Sequence, residues 1–294
     1  MLTAKRQSDN LKVVGDDIEK DPKERYFCDF CGNEVIHHKS DSHIRAGHFK
    51  HKTGQSFCPN NINESVWHLK TKLDIFRHIK QIWGNELRFI GIEEWLADRT
   101  IRADIFIETR KGNKIAIEVQ ASVLQVMDIK KRTEKYFRED IYVLWILPYD
   151  YNRFNKLQKD YGWLEDKTWG IKDQYWIYAP SVRLKEYEIF LFWCYYKQLL
   201  FWDLEHKYSS DFTVIELKDC VTDLVSFYED GEEVTYGGSK TKTTKSVEII
   251  RHNVEFNKLT PRYANEFDLK YRKYVIPERK IFTYYDKQKT TRTT

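Results

Sequence analysis

The chain reads as a mixed α/β protein built around an α-β-β-β-α-β unit, a mixed sheet flanked by helices, and three observations carry that reading. Cysteines and histidines cluster in the first sixty residues, as in a small module that a metal holds together. Helical periodicity from residue 64 gives way to short β-branched runs between 87 and 121, then to a second helical stretch and an apolar strand at 141–147. Beyond Pro148 the chain is aromatic-rich with weaker periodicity, the mark of a mixed C-terminal region.

Residues 2–6 and 11–14 form two short strands about the turn Ser8-Asp9-Asn10. From Glu64, the spacing of Trp67, Leu69, Leu73, Phe76, Ile79 and Ile82 predicts a helix, and Gly84-Asn85 stops it. Leu87–Ile92, Ile101–Glu108 and Lys114–Ala121 are strand-like, the last two joined at Arg110-Lys111-Gly112-Asn113 as a hairpin. Ser122 is a suitable N-cap for a helix to Arg138. Ile141–Leu147 is continuously apolar, as suits a strand covered on both faces. Tyr151–Gly170 reads as loops or short helix, Leu184–Tyr195 as helix, and Leu199–Glu205 and Phe212–Leu217 as strands. The expected divisions are a hairpin and zinc module over 1–62, a core over 63–150, an aromatic-rich region over 151–238, and a basic linker and tail over 239–294.

Among 294 residues, 41% hydrophobic and 32% charged content describes a globular chain rather than a disordered or membrane one. The opening Met-Leu-Thr-Ala-Lys-Arg lacks an apolar leader core, and Ile189–Trp202 falls short of a span of about 20 residues, so a cytoplasmic location is expected. Net charge is only +4, but Lys270, Arg272, Lys273, Arg279, Lys280, Lys287, Lys289 and Arg292 crowd the end of the chain. With Lys240, Lys242 and Lys245 after Gly237-Gly238-Ser239, they can gather near phosphates. A solvated, frayed terminus explains them equally well. The aromatic content of 15% reads as core.

Of the 5 cysteines, three precede residue 60, and with no export signal a metal explains them better than disulfides. Cys28-Asp-Phe-Cys31 is a knuckle, followed by His48-Phe-Lys-His51 and Cys58. Thiolate and imidazole ligands in tetrahedral geometry select a structural Zn²⁺. Cys28, Cys31, His51 and Cys58 form the first choice of four, with His48 as the alternative to Cys58.

Asp104 begins one strand of the hairpin, and Glu118 lies on the other within Ile117-Glu118-Val119-Gln120. Strand alternation sets Glu118 and Gln120 on one face. Two carboxylates that meet across a hairpin stay ionised only with a cation between them, and oxygen ligands favour Mg²⁺ or Mn²⁺. Glu64, His68 and Lys72 recur at helical spacing, and Arg132 and Tyr136 form a similar pair. Taken alone, each set is a solvated helix face.

The ordered run resembles the competence protein CoiA family. It comprises the opening hairpin, Cys28-X2-Cys31, His48-Phe-X-His51, Cys58, Glu64-Ser65-X2-His68-X3-Lys72, Arg102-Ala103-Asp104, Ile117-Glu118-Val119-Gln120-Ala121-Ser122, Arg132-X3-Tyr136 and Trp145-Ile146-Leu147. The resemblance implies a restriction-endonuclease-like, PD-(D/E)XK nuclease core behind a zinc-binding region, acting on single- or double-stranded DNA during uptake or recombination beside a RecA-type recombinase. It implies that Asp104 and Glu118 bind magnesium, that Glu64 is the helix acid, and that Gln120 stands where the motif has lysine. Gln120 carries no charge and is no general base, so Lys72 or Lys114 is the candidate cation. Arg102, Arg132, Tyr136, Lys240, Lys242 and Lys245 are the expected nucleic-acid contacts. A non-cleaving DNA adaptor that serves a recombinase is the alternative.

Overall fold

The structure, a computed structural model, describes residues 1–39, 46–54, 58, 64–120, 122–149, 184–202, 204, 212–219, 225–229, 232–236, 247–264, 270–271 and 274–284. Lys240, Lys242, Lys245, the Gly237–Ser239 linker and the Tyr151–Gly170 stretch lie outside these residues. The chain divides into two compact units: Met1–Leu147 with Phe256–Asp268 and Pro277–Thr294, and Pro148–Glu255 with Leu269–Ile276.

The first unit begins with β1 (Thr3–Arg6), β2 (Lys12–Val14), β3 (Tyr26–Phe27), β4 (Glu34–His38) and β5 (His48–His51), an antiparallel sheet in the order β2-β1-β3-β4-β5. Its small core is Met1, Ala4, Tyr26, Val35 and Phe49, packed with Cys28 and Cys58. So little apolar volume needs a further cross-link. Gly47 lets two backbones meet here, since a Cβ on it would stand 2.5 Å from the Gly15 carbonyl oxygen.

Next comes α1 (Val66–Trp83), whose N-cap Ser65 accepts a hydrogen bond from the His68 N–H at 3.1 Å. Leu69, Leu73, Phe76 and Ile79 form its buried face. β6 (Leu87–Leu96), β7 (Ile101–Thr109) and β8 (Lys114–Val119) form an antiparallel meander. α2 (Val126–Arg138) then carries the chain to β9 (Tyr142–Pro148), parallel to β8. The α-β-β-β-α-β order and the mixed sheet are therefore present. α2 starts after Gln125 and not at Ser122, whose carbonyl instead accepts a hydrogen bond from the Gln120 side chain.

The segment expected as linker and tail holds regular structure. In the first unit, β15 (Leu259–Ala264) pairs antiparallel with β18 (Arg279–Tyr284), and β18 pairs parallel with β9 at Ile281↔Val143. Leu259, Ile281 and Phe282 are buried there, so these residues are core rather than frayed end. The second unit contains α3 (Glu186–Cys194) and an antiparallel ladder of β10 (Gln198–Trp202), β11 (Phe212–Asp219) and β14 (Val247–Val254). It also holds the hairpins β12–β13 (Val225–Glu229, Glu232–Tyr236) and β16–β17 (Lys270–Tyr271, Tyr274–Val275). No helix among the described residues is long and apolar enough to cross a membrane.

Candidate functional site

The metal-ligating atoms of Cys28, Cys31, His51 and Cys58 lie within 4.8 Å of one another. Cys28 Sγ is 3.8 Å from Cys58 Sγ, and Cys31 Sγ is 3.3 Å from His51 Nε2. A tetrahedral zinc with ordinary bond lengths sets S···S at about 3.8 Å and S···N at about 3.6 Å. The four residues thus fit a metal such as zinc. His48 is not among them: its Nδ1 donates to the Ala46 carbonyl at 2.9 Å, and its ring stacks on His38. Burial lowers the pKa of His51, which keeps the imidazole neutral and able to bind metal.

The second cluster is built on the register of the main sheet. β6 pairs with β7 at Ile92↔Ile105 and Glu94↔Ala103, which sets Glu93 opposite Asp104. β7 pairs with β8 at Ile105↔Ile117, so the next step sets Asp104 opposite Glu118. Three carboxylates from three strands therefore stand in one row. Asp104 comes fourth in β7 rather than opening it.

α1 brings the balancing charge. The Lys72 ammonium donates to both Glu64 oxygens at 2.9 and 3.0 Å and to Glu93 Oε1 at 2.7 Å, and lies 3.6 Å from Asp104 Oδ1. Its side chain is 0% exposed. The Glu64/His68/Lys72 stripe is thus an inward-facing, charged one, not the solvated face it resembles when read alone. Burial alone would lower the Lys72 pKa, but Glu93, Glu64 and Asp104 outweigh it and hold the amine charged. Glu64 itself precedes the Ser65 cap, one residue before the helix. Arg102 donates to Glu64 at 3.0 Å, while His68 places Nε2 3.1 Å from Asp104 Oδ2 and Nδ1 3.6 Å from Glu64. The Val119 N–H donates to Asp104 Oδ2 at 2.9 Å. Burial would raise the Asp104 pKa, yet Lys72 and His68 hold it well below the usual carboxylate range.

Glu118, the neighbour of Asp104 in the register, has partners of its own from α2. Arg132 donates to its two oxygens at 2.9 and 2.8 Å, and the Tyr136 hydroxyl donates to Oε1. Burial, with the Asp104 charge adding to it, pushes the Glu118 carboxyl up to about 7 against the pull of Arg132. Among the described residues, a group of three with ligand atoms within 4.8 Å of one another is Glu64, His68 and Asp104, and Glu118 is not part of that group. Tyr136, expected at nucleic acid, is fully buried and spends its hydroxyl on Glu118, so it positions the acid. Arg132 also packs over Trp145, 5.6 Å from the ring centre.

A cavity of about 490 Å³ opens onto this cluster, lined by Glu64, His68, Asp104, Gln120, Arg102 and Arg132 among others. Gln120 Nε2 is bound to the Ser122 carbonyl, which leaves its amide oxygen for the cavity. Lys114 begins β8, exposed and pairing across to Glu108, four residues along the strand from Glu118. Of the two candidate cations, Lys72 is the one at the acids. The strand pattern Leu87–Ile92 stops short of Glu93, whereas β6 runs on to Leu96. The signal for the longer strand is the charged pair Glu93-Glu94 inside a run that resumes with Trp95-Leu96.

The fold and these clusters define a mixed α/β protein carrying a cysteine-rich module that could hold a metal. The model of the family described as "Competence protein CoiA, nuclease-like domain" matches residues 64–219, more than half of the chain, and the chain belongs to that family. The competence protein CoiA of Bacillus subtilis (strain 168) is 27% identical over 131 residues, covering 45% of this chain and 33% of that protein. The matched part is thus about a third of that relative. No solved structure matches the chain.

Proposed function

We propose that the protein is a nuclease that hydrolyses DNA phosphodiesters with a magnesium or manganese ion bound at Asp104 and Glu64, beside a structural zinc at the cysteine module. The observation that carries this reading is the convergence of Glu64, His68 and Asp104 at a cavity flanked by Arg102 and Arg132. Glu64, Glu93, Asp104 and Glu118 face Lys72, Arg102, Arg132 and the Met1 ammonium, which lies 3.8 Å from Glu64. The carboxylate oxygens of Glu64 and Asp104 are the hard ligands a divalent cation prefers. Such an ion supplies a Lewis acid and a water of lowered pKa.

The chain's own groups divide the remaining work. Lys72 holds Glu64 and Asp104 in place and keeps Asp104 ionised. Arg132 and Tyr136 fix Glu118 at the edge of the site. Arg102 and Arg132 draw phosphate oxygens toward the acids, and the Gln120 amide oxygen can orient an attacking water. Cleavage of single- and double-stranded DNA should depend on Mg²⁺ or Mn²⁺ and fall by at least about 10²-fold in Asp104→Ala and Glu118→Ala with zinc content unchanged. Cleavage at the wild-type rate in both variants overturns the assignment.

A second reading has its own support, because every carboxylate in the cluster already has an internal partner. A non-cleaving DNA adaptor that serves a recombinase fits that compensated site. It predicts salt-sensitive DNA binding, no turnover, and affinity unchanged by Asp104→Ala.

A further inference from the structure

A second cavity, about 600 Å³, lies at the cysteine knuckle, lined by Lys5, Arg6, Phe27, Asp29, Phe30 and Arg99 among others. We propose that it binds single-stranded DNA and continues the path of a strand entering the acidic cleft, an inference that rests on the nuclease reading above.

Two of its cations lack an acidic partner among the described residues. Arg6 is paired with Asp9 at 2.5 Å and Asp29 with Lys12 at 3.7 Å, whereas Lys5 and Arg99 have no carboxylate partner among the described residues. They stand beside two half-buried phenyl rings. Phe30 packs on Trp95 with ring centres 4.4 Å apart, and Trp95 lines the acidic cleft. Arg99 donates to the Phe30 carbonyl at 3.3 Å, while Thr100, Ile101 and Arg102, next in the chain, line the cleft. The two cavities therefore meet at one turn.

That turn is strained. Ala97, Asp98 and Arg99 have φ of 47, 51 and 66°, three successive non-glycine residues in the left-handed region, closed by the Thr100 N–H on the Ala97 carbonyl at 3.0 Å. The strained backbone holds Arg99 over the knuckle and the following residues over the acids. Cations spaced among aromatic rings are the chemistry of single strands, whose phosphates meet the charges and whose unpaired bases stack on the rings. In a duplex the bases are already stacked, and an acidic peptide would leave the rings unused.

Binding of a labelled oligothymidine of about 20 nucleotides is measured by fluorescence anisotropy across salt, with the zinc-loaded full chain and no added Mg²⁺. Lys5→Ala combined with Arg99→Gly removes both charges, and glycine accepts the left-handed backbone, so the fold is not put at risk. Affinity should drop by roughly tenfold, and the slope of log K against log salt should shrink by about 1.4, near 0.7 per lost contact. Phe30→Leu should weaken binding by about fivefold or more at unchanged slope and zinc content. Unchanged affinity and slope in the double variant overturn the proposal, as does duplex DNA or RNA that binds as tightly through the same residues. A cleavage assay of the wild type with Mg²⁺ separates the two readings. Binding that needs Lys5 and Arg99 without any cleavage supports the groove and removes the nuclease. Cleavage with binding indifferent to them removes the groove alone.

Discussion

Lys72 is an ammonium sealed from water among three carboxylates, and its charge survives there only because of them. Removing one member of such a buried set leaves the rest uncompensated, at about 3–5 kcal/mol. Lys72→Met and Glu93→Gln should each cost about that much in urea unfolding, and the double variant should cost less than their sum by about 0.5–3 kcal/mol. Strict additivity would show that the two do not act as a pair. The pH dependence carries a sign. Burial would raise the Glu93 pKa, but Lys72 and other nearby cations hold it well below its ordinary 4.5. Its stabilisation is therefore present above pH 4.5 and lost as pH falls through the lower native value. The stability gap between wild type and Glu93→Gln should accordingly narrow on acidification. Lys72, on a helical stripe, was visible in the sequence. Glu93 was not, because a carboxylate whose partners come from the first residues of the chain and from α1 gives no local sign: the Leu2 N–H donates to it at 2.8 Å and Thr3 Oγ1 at 3.2 Å.

At the scale of elements, periodicity and turn residues sufficed for α1, the β6–β8 meander and β9, because each buries one regular face or stripe. Two features needed tertiary information. Ser122 has the chemistry of a cap, but the helix waits for Val126, the first residue of the stripe Val126, Ile129, Thr133 and Tyr136 that α2 buries. The spacing of the zinc module likewise left His48 and Cys58 as rivals, since β5 presents His48 and His51 only three residues apart. Alternation turns His48 and His51 to opposite faces, but only the meeting of β5 with the knuckle and Cys58 shows which of the two joins the cysteines. Cys58→Ser should abolish stoichiometric zinc and unfold residues 1–58, read by metal analysis and circular dichroism, because the module's apolar core is too small to stand without its cross-link. His48→Ala should retain one zinc per chain with a modest loss of stability. Zinc lost equally in both variants would return His48 to the ligand set.

At the scale of the molecule, the unit holding the acids is closed by residues more than a hundred positions away in sequence. β18 lies parallel to β9 through Ile281↔Val143, and Phe256 packs at 4.4 Å on Trp83 of α1 and 5.4 Å on Phe282. Arg279, one of the cations that make this region look like a solvated tail, is 0% exposed. Lysines and arginines in the sequence masked the alternation of short strands, and a parallel pairing leaves no hairpin signal to betray it. Deleting residues 240–294 therefore takes away the strand beside β9 and buried apolar side chains that include Phe256, Leu259, Ile281 and Phe282. At about 1.5–3 kcal/mol each, their loss rivals the whole stability of a domain of this size. The truncated chain should lose cooperative thermal unfolding, and with it any DNA-cleaving activity. If the 240–294 deletion folds normally and merely binds DNA more weakly, the parallel β9–β18 contact does not hold this unit together, and the basic residues act as the tail their composition resembles.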